Sequence, residues 1–232
     1  MTDSTKTDLQ QVTALRRQAI APALSEDLLE RVLSPENLRK AWPQGKANHG
    51  APGVDGMTIE EFPAFAREHW PRIRQAIRDE TYQPSPVRRT EIPKRHGSGT
   101  RGLGIPPVVD RVLEQAIAQV LGPIFEPGFS ASSFGFRPKR SAHQAVKQMQ
   151  SYIKAGYKAG GDLDVAKFFD RAHHDALRAR GARKLHDKAL LRLIGKYLRA
   201  GVLLGGHVEP TAMGVPQGSP LSPLLSNILL DD

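Results

Sequence analysis

The chain contains no cysteine, which excludes a disulfide framework, a thiolate nucleophile and any zinc site built on thiolates. A metal would have to be held by carboxylates or imidazoles. Long hydrophobic runs are also missing: the Leu-rich stretch after Ser222 falls well short of the ~18 residues a membrane span needs. The opening MTDSTKTDLQQ has no apolar core behind a basic start, so no secretory leader is expected and a cytoplasmic protein without a membrane partner is. A G-x-x-x-x-G-K-[ST] phosphate loop, a dinucleotide fingerprint and a Ser-His-Asp arrangement of recognisable spacing are absent too. Their absence removes the commonest nucleotide-hydrolase and hydride-transfer chemistries.

Acidic charge is in short supply: 24 Asp plus Glu stand against 33 Lys plus Arg, a net charge of +9. That balance favours a polyanionic partner, either nucleic acid or an anionic surface. With 232 residues and 39% hydrophobic content the chain can bury a sizeable core in one domain or two small ones.

Residues 1–24 read as a polar, loosely helical arm. Leu28, Leu29, Val32 and Leu33 recur at helical spacing, and Ser34-Pro35 caps a second short helix running towards Trp42. Gly50 to Gly56 carries too many breakers for a regular element, and Thr58 with Glu61 forms a capping box. Residues 82–106 mix prolines, β-formers and cations around a Gly-Ser-Gly turn at 97–99, which predicts a basic β-hairpin. Val112, Leu113, Ala116, Ile117, Val120 and Leu121 keep to one helical stripe, and Ser141 with Gln144 caps a helix through Val146, Met149 and Ile153. Phe134 to Pro138 reads as a loop between them. A helix is expected from Asp175 to about Ala200, followed by a Gly-rich turn at 205–206.

Three constellations could carry chemistry. If the run from Asp162 to Asp170 begins as a strand, Asp162 and Asp164 share one face and can converge on a hard cation; surface carboxylates at a strand end are the plain alternative. Gly214 to Leu224 holds glycines and prolines that fix an irregular backbone and offers the amide of Gln217, useful beside a base pair or ribose; a Ser-Pro turn entering a helix is equally open. Arg88, Arg89, Lys94, Arg95 and Arg101 would set cations along one ribbon, for phosphates or simply as a solvated face. The adjacent His173 and His174 diverge on any regular element, so a structural or surface role is expected for them.

Read in order, Gly50-Ala-Pro-Gly-Val-Asp-Gly56, Ile92-Pro-Lys94, Thr100-Arg-Gly-Leu-Gly-Ile-Pro106, Asp110-Arg111, Ser133-Phe-Gly-Phe-Arg-Pro138, Asp164 to Asp170 and Pro216-Gln-Gly-Ser-Pro-Leu-Ser-Pro223 resemble the group II intron-encoded reverse transcriptase and maturase family. The resemblance covers roughly residues 27–232. It implies an α+β right-hand polymerase: an N-terminal extension and start of the fingers (25–81), fingers (82–158) and a partial palm (159–232), helix-rich with a basic hairpin and a small antiparallel sheet. The implied activity is RNA-directed DNA synthesis by nucleotidyl transfer, with Mg²⁺ as cofactor, together with binding and splicing assistance to an intron RNA. Template or intron RNA, a DNA primer and dNTPs are the implied partners.

Position by position, Asp164 matches the metal-binding catalytic aspartate and Val165 its neighbour, whose carbonyl can face the metal. Lys94 and Arg101 match triphosphate contacts, where fixed cations stabilise charge on phosphate oxygens. Phe169 matches the bulky residue beneath the nucleotide sugar, and Gln217 with Gly218 the segment beside the templating base pair. The family's Tyr-Ala-Asp-Asp segment does not occur, and the sequence ends at Asp231-Asp232. The expectation is therefore a chain truncated before that segment and catalytically incomplete, with a non-catalytic RNA-binding fragment as the alternative. Gly102, Ala166 and Gly160-Gly161 also depart from the family pattern, and an exposed apolar end is expected at 223–230.

Overall fold

The computed structural model describes residues 27–48, 50–93, 99–165 and 167–231. The arm expected at 1–24, Lys94 and Arg95, Ala166 and two residues of the turn at 97–99 lie outside them.

Helices α1 (Leu28–Val32) and α2 (Pro35–Ala47) open the described chain. Ser34 accepts from the amide of Asn37 at 3.2 Å, and Pro35, which needs no donor, starts the helix. Thr58 and Glu61 exchange bonds of 2.8 and 3.3 Å, but they close a turn just ahead of α3 (Phe62–Arg78) and not its first turn. The basic hairpin forms as β1 (Val87–Pro93) and β2 (Thr100–Ile105), in antiparallel register from Arg88 opposite Ile105 to Pro93 opposite Thr100. Helix α4 (Val108–Phe125) follows, then α5 (Ala142–Lys154), whose Ser141–Gln144 capping box is present as the sequence predicts.

After the short α6 (Phe168–Arg171), the single helix expected from Asp175 to Ala200 is two, α7 (His174–Ala182) and α8 (Lys188–Leu198). Asp187 explains the break. One carboxylate oxygen accepts from Leu190 at 2.9 Å to cap α8, and the other accepts from Leu29 at 2.8 Å, anchoring α1. Strands β3 (Val202–Leu204) and β4 (His207–Glu209) form a tight hairpin whose central residues, Gly205 and Gly206, both have positive φ. Helix α9 (Ser222–Leu230) closes the described chain.

The sheet corrects the expectation in one ladder. Its order is β2-β1-β3-β4, and Val87 pairs in parallel with Val202, so the small sheet is mixed and continuous with the hairpin of 87–105. The strand that would have set Asp162 and Asp164 on one face does not form: residues 157–165 adopt no regular element and all are exposed. Gly160 and Gly161 weaken extended structure, and no described strand lies beside them to supply partners. The apolar end is also corrected, since Leu225 and Ile228 of α9 are buried against α4 and α7, leaving Leu230 exposed. No described helix is long and apolar enough to cross a membrane.

Helix α4 is the centre of the core. The sequence marks one apolar stripe, yet the helix is buried nearly all round, including Asp110, Arg111 and Glu114. Asp110, 2% exposed, accepts from the hydroxyls of Tyr82 (2.6 Å) and Tyr197 (3.2 Å) and from the amide of Ser85 (3.1 Å). Burial pushes its carboxyl up to about 6 despite those donors. One turn on, burial and the neighbouring Asp110 charge raise the Glu114 carboxyl well above its ordinary value. Arg111 donates to the carbonyl of Ala51 at 3.0 Å, fastening the 50–56 loop to the same helix.

Asp110→Ala should lower unfolding free energy by about 2–4 kcal/mol in urea titrations, because two phenols and one amide lose their acceptor. The pH dependence has a defined sign. Between the unfolded value near 3.8 and the folded value of about 6 the folded state binds a proton that the unfolded state has released, so this group's contribution to stability falls as pH rises through that window. Melting temperatures of wild type and Asp110→Asn recorded from about pH 4 to 7 should therefore differ in slope; parallel profiles would refute the assignment.

Candidate functional site

The second constellation, Gly214 to Leu224, acts as a backbone clasp. Val215 donates its amide to the carbonyl of Phe169 at 2.7 Å, and Gly214 donates to that of Ala172 at 2.8 Å. Buried His174 bonds the Gly214 carbonyl through Nε2 at 2.7 Å, which gives that histidine the structural role expected of it. On the other side, Gly104 of β2 donates to the carbonyl of Gln217 at 2.6 Å. Ser222 then donates to the carbonyl of Pro216 at 2.8 Å, seating the start of α9 against the loop.

Two glycines make this approach possible. Gly214 has φ +93°, and a Cβ there would stand 3.0 Å from the carbonyl oxygen of Phe169. Gly218 has φ +116°, and a Cβ there would stand 2.5 Å from the carbonyl oxygen of Gly104. Both neighbours are backbone atoms, which cannot swing aside.

The clasp closes one wall of a cleft of about 270 Å³ whose lining includes Arg89, Gly102, Gly104, Phe169, Pro216 and Gln217. Of the residues singled out in the sequence, Phe169 and Gln217 thus meet around one space, and Gly218 packs directly behind it against β2. Phe169 is half-buried with its ring 5.6 Å from that of Phe168. Three others are not brought to the cleft lining: Asp164 and Val165 lie on the exposed stretch 157–165, and Arg101 is exposed on β2 opposite Ile92. Lys94 lies outside the described residues.

The basic ribbon also divides. Side chains alternate along a strand, so Arg88 and Arg101 take one face of the hairpin and Arg89 the other. Arg88 donates to the carbonyl of Pro52 at 3.0 Å, while Arg89 meets Glu91 at 3.2 Å and borders the cleft. Arg89 is the cation in the cleft lining; the sequence places it in the basic tract, but the family resemblance matched Lys94 and Arg101 to the triphosphate instead. The Asp110–Glu114 pair was missed as well, although charges four residues apart on an apolar helix were visible.

No group of three or more carboxylate and imidazole side chains among the described residues is placed to hold a metal ion. Asp164 offers one hard oxygen donor, and a magnesium site usually adds a second carboxylate or substrate phosphates. The described residues alone do not make that site.

Residues 92–232 match the family described as reverse transcriptase (RNA-dependent DNA polymerase). Protein YkfC of Escherichia coli is 35% identical over 88% of this chain and 55% of its own length. The group II intron-encoded protein LtrA of Lactococcus lactis subsp. cremoris is also 35% identical, over 88% of this chain and 34% of its own length. The chain thus spans between a third and just over half of these relatives. A solved structure described as a partial Cas6-RT-Cas1–Cas2 complex superposes with a TM-score of 0.61 at 25% identity, over 89% of this chain and 34% of that one.

Gly218→Ala is expected to cost about 2 kcal/mol or more of stability, combining an unfavourable φ with a backbone clash. Gln217→Ala should leave stability within about 0.5 kcal/mol, since the bond to β2 comes from the main-chain carbonyl. Denaturant midpoints of the two variants check both; equal losses would show that the clasp is not built as described.

Proposed function

Starting from a chain that belongs to the reverse transcriptase family, we propose that these residues form the fingers and part of the palm of an RNA-directed DNA polymerase of the group II intron type. The observation that carries the reading is the convergence of Phe169, Gln217 and the Gly102–Gly104 strand on one cleft, joined by main-chain bonds between segments far apart in sequence. In the proposed site Phe169 lies under the sugar of an incoming dNTP and excludes a 2′-hydroxyl. Gln217 and Gly218 border the templating base pair and Arg89 faces phosphate from the cleft wall; Lys94 and Arg101 are the proposed triphosphate contacts, Arg101 from the hairpin face opposite Arg89 and outside the cleft lining. Intron or template RNA and a DNA primer are the proposed partners, in the cytoplasm, with residues 82–158 as fingers and 159–232 as palm.

Mg²⁺ is the proposed cofactor, and Asp164, with the carbonyl of Val165, would supply protein oxygens to it. The chemistry that ion contributes is stabilisation of charge on the phosphate oxygens during in-line transfer. With Asp164 as the only carboxylate so assigned, the 232-residue chain alone should be slower than a complete site by several orders of magnitude. The exposed setting of Asp164 favours a second reading, an RNA-binding fragment without catalysis.

Primer extension on poly(rA)·oligo(dT) with dTTP and Mg²⁺, run beside a binding titration of the same hybrid, separates these readings. The expected outcome is salt-sensitive binding with no incorporation above background. Templated incorporation that vanishes in Asp164→Ala would overturn the incompleteness of the site, and absence of both binding and incorporation would sink the polymerase reading.

A further inference from the structure

Away from the cleft, residues 127–161 contain six Lys and Arg (Arg137, Lys139, Arg140, Lys147, Lys154 and Lys158) and no Asp or Glu at all. In a chain with 24 acidic residues, an uninterrupted cationic segment of this length is a local electrostatic feature that the net charge understates.

The same segment presents aromatic rings to solvent. Phe136 is 73% exposed and holds φ +54°, a conformation that a bulky side chain adopts only when its surroundings impose it. The imposing residue is Arg137. It is 8% exposed, meets Glu126 at 2.8 Å and donates to the carbonyls of Ser130 (2.5 Å) and Ser133 (2.8 Å). Asn227 of α9 fastens the loop from the other side by donating to the carbonyl of Gly135 at 3.0 Å. The loop is thus held firmly while its aromatic tip points outward. At the far end of α5, Tyr157 (68% exposed) and Tyr152 (43%) form an edge-to-face pair with centroids 5.9 Å apart. Between these ends His143, Lys147, Gln150 and Lys154 follow one line of the helix, and no residue of α5 is buried. Arg140 stands over the Phe134 ring at 5.4 Å, a cation positioned at the foot of the same surface.

We propose that residues 134–158 form a second nucleic-acid surface that binds single-stranded RNA, with Phe136 and the Tyr152–Tyr157 pair as stacking faces and Lys139, Arg140, Lys147 and Lys154 as phosphate contacts. Exposed rings select a single strand because duplexed bases keep their faces covered, and the cations follow its backbone. That the polyanion is RNA rests on the polymerase reading. None of these residues lines the cleft, so the two contacts can fail separately.

The test is fluorescence anisotropy of a labelled oligo(rA) dodecamer with the full chain across a salt series. Phe136→Ala and Phe136→Leu should weaken binding about 5- to 150-fold, the range of one lost stacking contact, and Phe136→Trp should retain it. Lys147→Ala with Lys154→Ala should flatten the slope of log affinity against log salt by about 1.4. Thermal melts confirm that these exposed substitutions leave the fold intact. Arg89→Glu in the cleft serves as the contrast: loss with Arg89→Glu while the Phe136 variants bind as wild type overturns this surface and leaves the polymerase reading standing. Wild type that binds no oligo(rA) overturns it too, as does capture by phosphatidylserine vesicles in preference to RNA.

Discussion

Asp110 is a carboxylate buried in the middle of the molecule, and the three donors it gathers come from two segments far apart in sequence. Tyr82 and Ser85 lead into the hairpin strand β1, while Tyr197 ends α8 just before β3. Since β1 and β3 pair in parallel, this one side chain ties together the segments that lead into the two strands bordering the cleft. The cost is desolvation, visible in the raised carboxyl values of Asp110 and Glu114. Such a charge is retained against its solvation cost because removing it leaves several polar groups without partners at once.

From that fixed frame the clasp of Gly214 to Gly218 needs no side-chain chemistry of its own. Main-chain bonds to Phe169 on one side and Gly104 on the other join segments far apart in sequence. The side chains of Phe169, Gln217 and Arg89 line the cleft and take no part in those main-chain bonds. Packing is sparse in the carboxylate region, where residues 157–165 carry Leu163 97% exposed. An apolar residue that open to solvent marks a stretch without the packing that would aim Asp164 at a metal.

Local signals are legible in the sequence. The caps at Ser34 and Ser141, the basic hairpin, the loop from Phe134 to Pro138 and the central helix after Asp110 depend on neighbours within a few residues. Errors occurred where a distant partner decided the outcome: Asp187 split one expected helix into two by serving both Leu190 and Leu29, and burial of α9 depended on α4 and α7. The strand considered at Asp162 is absent for the complementary reason, since alternating carboxylates supply a pattern and not a partner strand.

What the amino-acid sequence determined by itself is the ordered set of motifs, the positive charge and the exclusion of thiolate chemistry, because each is a property of residue types and spacing. Tertiary structure alone decided that Phe169 and Gln217 share a cleft, that Arg89 and not Arg101 borders it, and that Asp110 holds the frame together. Strand register and burial are set by contacts between residues tens of positions apart. No pattern read along one segment contains that information.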